Sequence, residues 1–296
     1  MDCFFLHGRC YGDSNLSLLC RLSSMAAALL LFRWRFILQP IARSMEQAKP
    51  LWIVFLLLSF SLAGCLSQTS EDSGIDLVLQ YDAKNGTIVE SYSDGQHVDT
   101  TNVYLDFDFS QTTADSALVS FGIDTNDGRA PVTVAADTGS NVTVEFSQHG
   151  IYNLSVYAID ENNKQEVQTL SVRIELRIEW SETNTKAPQT LAFDPTPSNG
   201  GESPIMIEVY SVVENPSLIG EIGGSGQSVQ FTWNIADELD DVCQSRSGQV
   251  NDGDEVVWNT IHFNTFQPHE LRISYDDGQE DIRVNQTVTI LYNSED

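Results

Sequence analysis

The chain has 296 residues, 41% of them hydrophobic, and a formal net charge of −27. This length can fill one large core or two ordinary ones, and two domains are the better expectation. From Cys65 onward there are nine basic and 39 acidic residues, and a surface charge of about −30 repels polyanions, so nucleic acid is excluded as a partner. The acidity is interpreted as a means of keeping an extracellular domain hydrated in a salty medium.

A short apolar run near the N-terminus covers residues 51–58. It is followed by a serine-containing stretch and then by Leu62, Ala63, Gly64 and Cys65. This ending resembles the lipobox of prokaryotic lipoproteins, in which a signal peptidase cleaves before the cysteine and the cysteine carries lipid. The resemblance implies that residues 45–64 are a signal peptide and that Cys65 is the lipid attachment site. The protein would then be anchored to the cell membrane by its N-terminal lipid and face outside the cytoplasm. Residues 65–74 are predicted to be a polar tether.

Two alternatives remain for this region. The apolar segment could be an uncleaved membrane helix, although residues 51–66 fall short of the ~20 apolar residues that a spanning helix needs. Residues 1–44 fit neither a signal peptide nor a domain, and we interpret them as the product of a start codon assigned too early. A long signal beginning at Met25 and a two-part membrane hairpin stay open as alternatives.

Cysteine content limits the chemistry of the mature region. Only Cys65 and Cys243 remain after residue 64, so no intrachain disulfide framework can form, and no Cys/His cluster indicates zinc. Cys243 is expected to be a half-buried loop residue and not a nucleophile.

The periodicity of the mature region is that of β-strands. Apolar residues alternate in period two along six segments, 75–79, 103–107, 132–134, 142–146, 152–159 and 170–178. Turn residues separate them, at 84–86, 93–95, 126–128 and 161–163. With no amphipathic helix after the tether, this pattern predicts an all-β fold made of antiparallel sandwiches.

Residues 121–128, Phe-Gly-Ile-Asp-Thr-Asn-Asp-Gly, resemble the aromatic-x-Trp-Asp-x-Gly-Asp-Gly turn of polycystic-kidney-disease (PKD) domains, which are immunoglobulin-like sandwiches. Phe146 and the run from Gly150 through Tyr152 to Asp160 are similar to the penultimate strand of that family. In this chain Ile123 replaces the tryptophan and Asn126 replaces the first turn glycine. Tyr152 is expected to pack and hydrogen-bond at a corner.

A weaker copy of the pattern follows in the second half. Residues 231–237 carry Trp233 where the first copy lacks a tryptophan, residues 266–278 repeat the late strand and its turn, and residues 284–292 are the last strand. The expected organisation is therefore a PKD-like sandwich over 75–178 and a second immunoglobulin-like sandwich over 179–296. The join is placed near residues 180–204, a Thr/Pro/Ser/Asn/Gly-rich stretch in which 191–193 could be the first strand of the second domain.

Catalytic motifs are absent from the sequence. It contains no Gly-x-Ser-x-Gly elbow, Walker loop or dinucleotide loop. His269-Glu270 begins like a zinc-binding helix motif, but Ile273 stands where the second histidine is required and the segment is predicted to be a strand. The chain is not expected to be an enzyme or to need a cofactor.

Clustered oxygen ligands raise the hypothesis of calcium binding, because turns can supply hard ligands without a helix. Asp124, Asn126 and Asp127 form one candidate site. A second set of acidic residues comprises Asp237, Asp240, Asp241, Asp252 and Asp254. A structural role is favoured over calcium, since in the PKD family these aspartates chiefly shape a turn through side chain to backbone hydrogen bonds.

Asn-x-Ser/Thr triplets offer candidate glycosylation sites in the mature region, at Asn85, Asn141, Asn153 and Asn285. Chance explains them about as well in a chain rich in Asn and Thr.

Two functional classes remain. The leading one is a non-catalytic surface protein for adhesion, spacing or protein-protein interaction, with an extracellular protein or glycan as partner. The alternative is a carbohydrate- or substrate-capturing accessory subunit of a secreted hydrolase or transporter. The alternative calls for an exposed aromatic platform, for which Trp180, Trp233 and Trp258 are the candidates, although Trp233 also fits the family's core tryptophan.

Overall fold

The computed structural model describes residues 73–217 and 226–293, and every regular secondary-structure element in these ranges is a β-strand. No helix in the described ranges is long and apolar enough to cross a membrane. The lipobox, Cys65 and nearly all of the predicted tether lie outside the described residues. The strands are β1 Ile75–Asp76, β2 Gln80–Tyr81, β3 Asn85–Ser93, β4 Gln96–Thr101, β5 Val103–Asp108, β6 Thr113–Ala114, β7 Leu118–Asp124, β8 Val132–Ala135, β9 Asn141–Phe146, β10 Gly150–Asp160, β11 Gln165–Thr185, β12 Leu191–Phe193, β13 Met206–Glu214, β14 Val229–Asp237, β15 Val242–Val250, β16 Glu255–His262, β17 His269–Asp277 and β18 Ile282–Leu291.

The first sandwich is built from β1, β2, β5 to β10 and the first half of β11. One layer has the strand order β8-β7-β10-β11, and the other has the order β2-β5-β9, with β1 and β6 paired beside them. Buried residues alternate with more exposed ones along β5, β9 and β10, and in β9 every second residue is buried. The core between the layers contains Phe107, Ile123, Phe146 and Leu154, all fully buried. Ile123 therefore occupies the buried position at which the PKD pattern has tryptophan.

The second sandwich uses the remaining strands. Its larger layer runs β16-β13-β18-β11-β3-β4, and its smaller layer runs β12-β17-β14-β15. Phe231 and Trp233 on β14 fill the space between the layers, and both are fully buried. The fold class is thus all-β with immunoglobulin-like sandwiches, as predicted, and the pairings of the described strands are antiparallel except that of β3 with β11.

Strand β11 belongs to both sandwiches. Its first half pairs with β10 and its second half with β18, on the same edge. Arg173 and Ile174 pair simultaneously with β10 on one side and with β3 on the other, which places β3 on the opposite edge. The predicted boundary between residues 178 and 179 falls inside this 21-residue strand, and the division into two domains stays a prediction.

The hairpin of β3 and β4 is an element that the periodicity did not predict. β3 runs parallel to β11 from Asn85↔Arg173 to Ser93↔Ser181, so an early segment of the chain extends the sheet of the second sandwich. The hairpin turns at Asp94 (φ 48°) and Gly95 (φ 76°), a pair of positive φ values that matches the twist of two-residue hairpins.

Four local predictions need correction. The strand expected over 75–79 is regular only at Ile75–Asp76. The turn expected at 84–86 is instead the start of β3, where Gly86 lies so close to the Val103 side chain that a Cβ would collide with it. Within the stretch expected to join the domains, residues 180–185 are strand. Cys243 lies in strand β15 and not in a loop, although it is half-buried as expected.

Candidate functional site

A crevice opens where the first and second sandwiches meet. Its walls are the loop before β10 and the segment after β12, and its floor is formed by β3 and β11. The volume is about 280 Å³. We call this the junction crevice, and its lining residues are Ile88, Glu90, Ser147, Gln148, His149, Leu176, Ile178, Ala192, Phe193, Asp194, Thr196 and Ser198.

The floor of the junction crevice is apolar because alternate residues of two paired strands point the same way. Ile88 of β3 is paired with Leu176 of β11, and both are buried, as are Ile178 and Phe193. These four side chains also belong to the hydrophobic core. The floor is therefore part of the packed interior.

Side-chain hydrogen bonds fasten the walls of the crevice to each other. Ser198 Oγ donates to Gln148 Oε1 at 2.7 Å, and Asn199 Nδ2 donates to the Ile151 carbonyl at 3.0 Å. These bonds hold the segment after β12 against the loop that leads into β10. The crevice is thus formed by the junction itself.

His149 stands in one wall, with its Nδ1 2.7 Å from the Tyr292 hydroxyl. Burial lowers the pKa of His149, and a backbone hydrogen bond to Asp194 together with the Asp194 charge opposes that shift. Burial also raises the pKa of Tyr292. Near neutral pH the His149 imidazole and the Tyr292 phenol that it contacts are therefore both uncharged.

Two carboxylates stand at the rim. Glu90 Oε2 accepts a hydrogen bond from the Tyr92 hydroxyl at 3.1 Å, and Asp194 Oδ1 accepts one from the Thr196 backbone N–H at 2.9 Å. The second oxygen of each carboxylate has no hydrogen-bond partner among the described residues. None of the residues lining the crevice is Lys or Arg.

A second concavity of about 300 Å³ lies over β3, β11 and β18. Its lining contains Tyr92 and Trp180 but no aliphatic side chain, and Glu179 there is paired with Arg177 at 3.0 Å. The junction crevice differs from it in having aliphatic side chains in its floor and two carboxylates that make no ion pair among the described residues.

The tryptophans proposed as a carbohydrate platform are core residues. Trp180, Trp233 and Trp258 are 7%, 0% and 6% exposed. Trp233 Nε1 donates to the buried Ser211 Oγ at 2.8 Å, and Trp180 Nε1 donates to the buried Glu182 at 2.8 Å. At these exposures the three rings cannot form an exposed platform.

The candidate calcium residues in the PKD-like turn are engaged in local hydrogen bonds. Asp124 Oδ1 accepts from the Asn126 N–H at 2.8 Å, and Asp127 accepts from Thr125 and from Arg129, with Arg129 Nη2 at 2.7 Å. Burial tends to raise the pKa of Asp127, but the hydrogen bonds from Arg129 and Thr125 outweigh it and lower the pKa. These are hydrogen bonds of the kind expected to shape the turn, and calcium binding there stays an alternative hypothesis.

The second acidic set is not brought together. Asp237 is the last residue of β14, and Asp240 and Asp241 lie in the turn that leads to β15. Asp252 and Asp254 lie in the turn after β15, at the other end of that nine-residue strand. Asp237 Oδ1 accepts from the N–H groups of Leu239 and Asp241, both at 3.0 Å. Asp240 is paired with Arg272. One calcium ion cannot contact both turns.

A pair of histidines is buried in the second sandwich. The rings of His262 and His269 are 4.6 Å apart and nearly perpendicular, and one nitrogen of each ring, His262 Nε2 and His269 Nδ1, has no hydrogen-bond partner. Within residues 73–217 and 226–293, no three His, Cys, Asp or Glu side chains are grouped so that they could hold a metal ion. His269 and Glu270 begin strand β17, so the helical zinc motif does not form.

The four candidate glycosylation sites are all accessible. Asn85, Asn141, Asn153 and Asn285 are exposed, and each lies in a strand. Their modification stays a prediction.

No protein-family model matches the chain, and no curated protein matches it in sequence. Among solved structures, carbohydrate-binding modules from the β-sandwich superfamily are 10% identical with a TM-score of 0.28, over 76% of this chain and 94% of theirs. Fibronectin(III)-like modules of Clostridium thermocellum CbhA are 12% identical with a TM-score of 0.23, over 59% and 94%. Tripeptidyl peptidase 2 is 11% identical with a TM-score of 0.22, over 78% and 22%. At such values the assignment to immunoglobulin-like sandwiches rests on the strand pairings of this chain.

Proposed function

We propose that this protein is a lipid-anchored, non-catalytic surface protein whose joined sandwiches form a stiff spacer or protein-interaction module outside the cytoplasm. The observation that carries the proposal is strand β11, because one continuous strand of 21 residues serves both sandwiches and leaves no linker between them. The hairpin β3–β4 adds a second connection on the opposite edge of β11.

The sequence supports the other parts of the proposal. Leu62, Ala63, Gly64 and Cys65 fit the lipobox, and the charge of about −30 after it suits a hydrated extracellular surface. We also propose that the first sandwich is of PKD type. The hydrogen-bonded turn at 124–129 and the Tyr152 hydroxyl, which donates to the Gln148 carbonyl at 2.7 Å, support this assignment.

The anchor is tested in membranes of the native host with the variants Cys65→Ser and Cys243→Ser. We expect the wild type and Cys243→Ser to enter the detergent phase as chains that begin at a lipid-modified Cys65, as read by intact mass spectrometry. Cys65→Ser should lose the lipid mass. A membrane-bound chain that retains residues before Met45 would overturn the anchor and favour an uncleaved helix.

The second candidate function, capture of a small ligand for a neighbouring hydrolase or transporter, is favoured by one observation. The junction crevice combines an apolar floor with two carboxylates that each keep one oxygen without a hydrogen-bond partner among the described residues. It does not need the tryptophan platform that the sequence suggested.

A further inference from the structure

We propose that an exposed apolar surface at one end of the second sandwich binds a partner protein that presents apolar side chains surrounded by Lys and Arg. The inference rests on the protein-interaction module proposed above and names the chemistry of its partner. It uses neither the junction crevice nor the lipid anchor. We call this surface the loop patch, and it comprises Leu239, Val242, Ile261, Phe263 and Phe266.

The side chains of the loop patch are open to water. Leu239 and Val242 are 75% and 52% exposed, Ile261 is 41% exposed, and Phe263 and Phe266 are 56% and 73% exposed. The two phenylalanines alone leave on the order of 250 Å² of apolar surface in water, and the three aliphatic side chains add to it. Exposed apolar patches larger than a few hundred Å² mark interaction sites, especially where polar residues surround them.

Two neighbouring loops carry most of the loop patch. Leu239 lies in the turn between β14 and β15, and Phe263 and Phe266 lie in the loop between β16 and β17. Gln267 Nε2 in the second loop donates to Asp237 Oδ2 at the start of the first, at 3.2 Å. The two loops are therefore in contact.

The ends of two strands bring the remaining side chains to the same place. Val242 begins β15, and Ile261 is the last residue but one of β16. Gln244 Nε2 donates to the Ile261 carbonyl at 2.9 Å, and Thr260 Oγ1 donates to Gln244 Oε1 at 2.8 Å. These bonds place the beginning of β15 against the end of β16, next to both loops.

Hydrogen bonds fix the shape of both loops. Asp237 Oδ1 accepts from the N–H groups of Leu239 and Asp241, both at 3.0 Å, and Thr265 Oγ1 donates to the Pro204 carbonyl at 2.7 Å. Binding to loops that are already ordered costs little conformational entropy. The loop patch is thus prepared for contact before a partner arrives.

The charge around the loop patch decides between possible occupants. Glu238, Asp240 and Asp241 are exposed beside Leu239, and Arg272, which contacts this turn, is paired with both Asp240 and Glu270. A second copy of the chain would bring the same acidic rim and a net charge of −27 against itself, and anionic lipid would be repelled in the same way. A partner with Lys or Arg around its apolar contact is complementary in both respects.

The test uses a fluorescent peptide of leucine and lysine, with leucine along one face of its helix, and a control peptide in which glutamate replaces lysine. The full chain is held in phosphatidylcholine nanodiscs, with empty nanodiscs as the blank, and binding is read by fluorescence anisotropy. We expect the lysine peptide to bind at least about tenfold more tightly than the glutamate peptide. Equal affinities would contradict the role of charge.

Two double variants locate the site. Phe263→Ser combined with Phe266→Ser removes both rings without changing the charge, and it should lose at least about tenfold in affinity for the lysine peptide. Tyr104→Ser combined with Val167→Ser removes exposed apolar side chains from the first sandwich and should bind as the wild type does. Because all four side chains are exposed, the far-UV circular dichroism of both variants should match that of the wild type. Wild-type affinity in the phenylalanine variant would mean that the general acidity of the chain holds the peptide, and the inference would be wrong.

Two other occupants have results of their own. Dimers of the wild type that the phenylalanine variant does not form, seen by analytical ultracentrifugation in detergent, would mean that a second copy covers the loop patch. Peptide binding that appears only after amphipol replaces the lipid would mean that the membrane covers it. Either result would overturn the proposed partner. A chain that carries lipid on Cys65 and does not bind the lysine peptide would overturn this inference alone and leave the anchor in place.

Discussion

The rings of His262 and His269 lie together in the second sandwich, where the two residues are 5% and 1% exposed. Burial, followed by repulsion from His269, lowers the pKa of His262 from 6.5 to about 4. Below pH 6.5 the unfolded chain therefore binds a proton at His262, whereas the folded chain binds it only near pH 4. Stability that is fully present above pH 6.5 is lost as the pH falls through this window.

Replacement of His262 by Phe removes the titrating ring and keeps a planar side chain of similar size. Between pH 7.5 and pH 4, the wild type should lose about 3 kcal/mol more of its free energy of unfolding than His262→Phe does. Urea unfolding at the two pH values measures the difference. His97→Phe, at an exposed position of β4, is the control and should lose as much as the wild type; equal losses in all three chains would contradict the prediction.

Single residues were predictable where local chemistry decides their environment. The sequence predicts the corner hydrogen bond of Tyr152 and the turn at residues 126–128, because the partners are only a few positions away. It offered Trp180 and Trp258 as surface residues, because the burial of an aromatic ring depends on the strand that faces it. The residues of the junction crevice carried no local signal, since three separate segments form it.

At the scale of elements, β11 is the central strand of the structure. Glu179 pairs with Thr287 of β18 on one edge and with Ser91 of β3 on the other. A partner strand lies on both edges of β11 at Glu179, so its backbone N–H faces a partner in either direction. Proline, which has no N–H, is not tolerated at such a position.

Glu179→Pro should therefore destabilise the protein by the cost of an unsatisfied ladder group, about 1–3 kcal/mol, plus the strain of the ring. Glu179→Ala loses only the exposed ion pair with Arg177, worth less than about 1 kcal/mol. Thermal unfolding followed by far-UV circular dichroism measures both. Similar melting temperatures for the two variants would show that β11 is not paired on both edges.

Elements with clear alternation, such as β5 and β9, were found from the sequence. The hairpin β3–β4 was missed for two reasons. Asn85-Gly86 is typical of a turn, and every residue of β4 is exposed, so no alternation of apolar residues marks that strand. The position of the hairpin depends on pairing with residues 88 positions later in the chain, which periodicity does not encode.

At the scale of the whole molecule, the described residues form one hydrophobic cluster that includes Phe107 of the first sandwich and Trp233 of the second. Cooperative unfolding follows when one core and one strand are common to both parts. The sequence-based division at residue 178 leads to the opposite expectation of two independent units.

The variant Phe107→Ala leaves a cavity in the first sandwich and should cost about 3–5 kcal/mol. Because the sandwiches share β11, we expect the unfolding midpoint of Trp233, followed by ¹⁹F NMR of fluorotryptophan, to fall together with that of the whole chain. Tyr104→Ala, an exposed neighbour on the same strand, should leave the midpoint unchanged. A Trp233 midpoint that does not move in Phe107→Ala would mean that the two sandwiches unfold separately.

The parallel pairing of β3 with β11 also affects the order in which the protein can be made. Residues 85–93 leave the ribosome long before residues 173–181, to which they pair, so during synthesis the hairpin has one strand edge without a partner. Pairings between distant segments slow folding and leave unpaired, aggregation-prone strand edges exposed in the meantime. For the exported chain proposed above, this late pairing favours export in the unfolded state, with the hairpin docking only after the whole polypeptide has crossed the membrane.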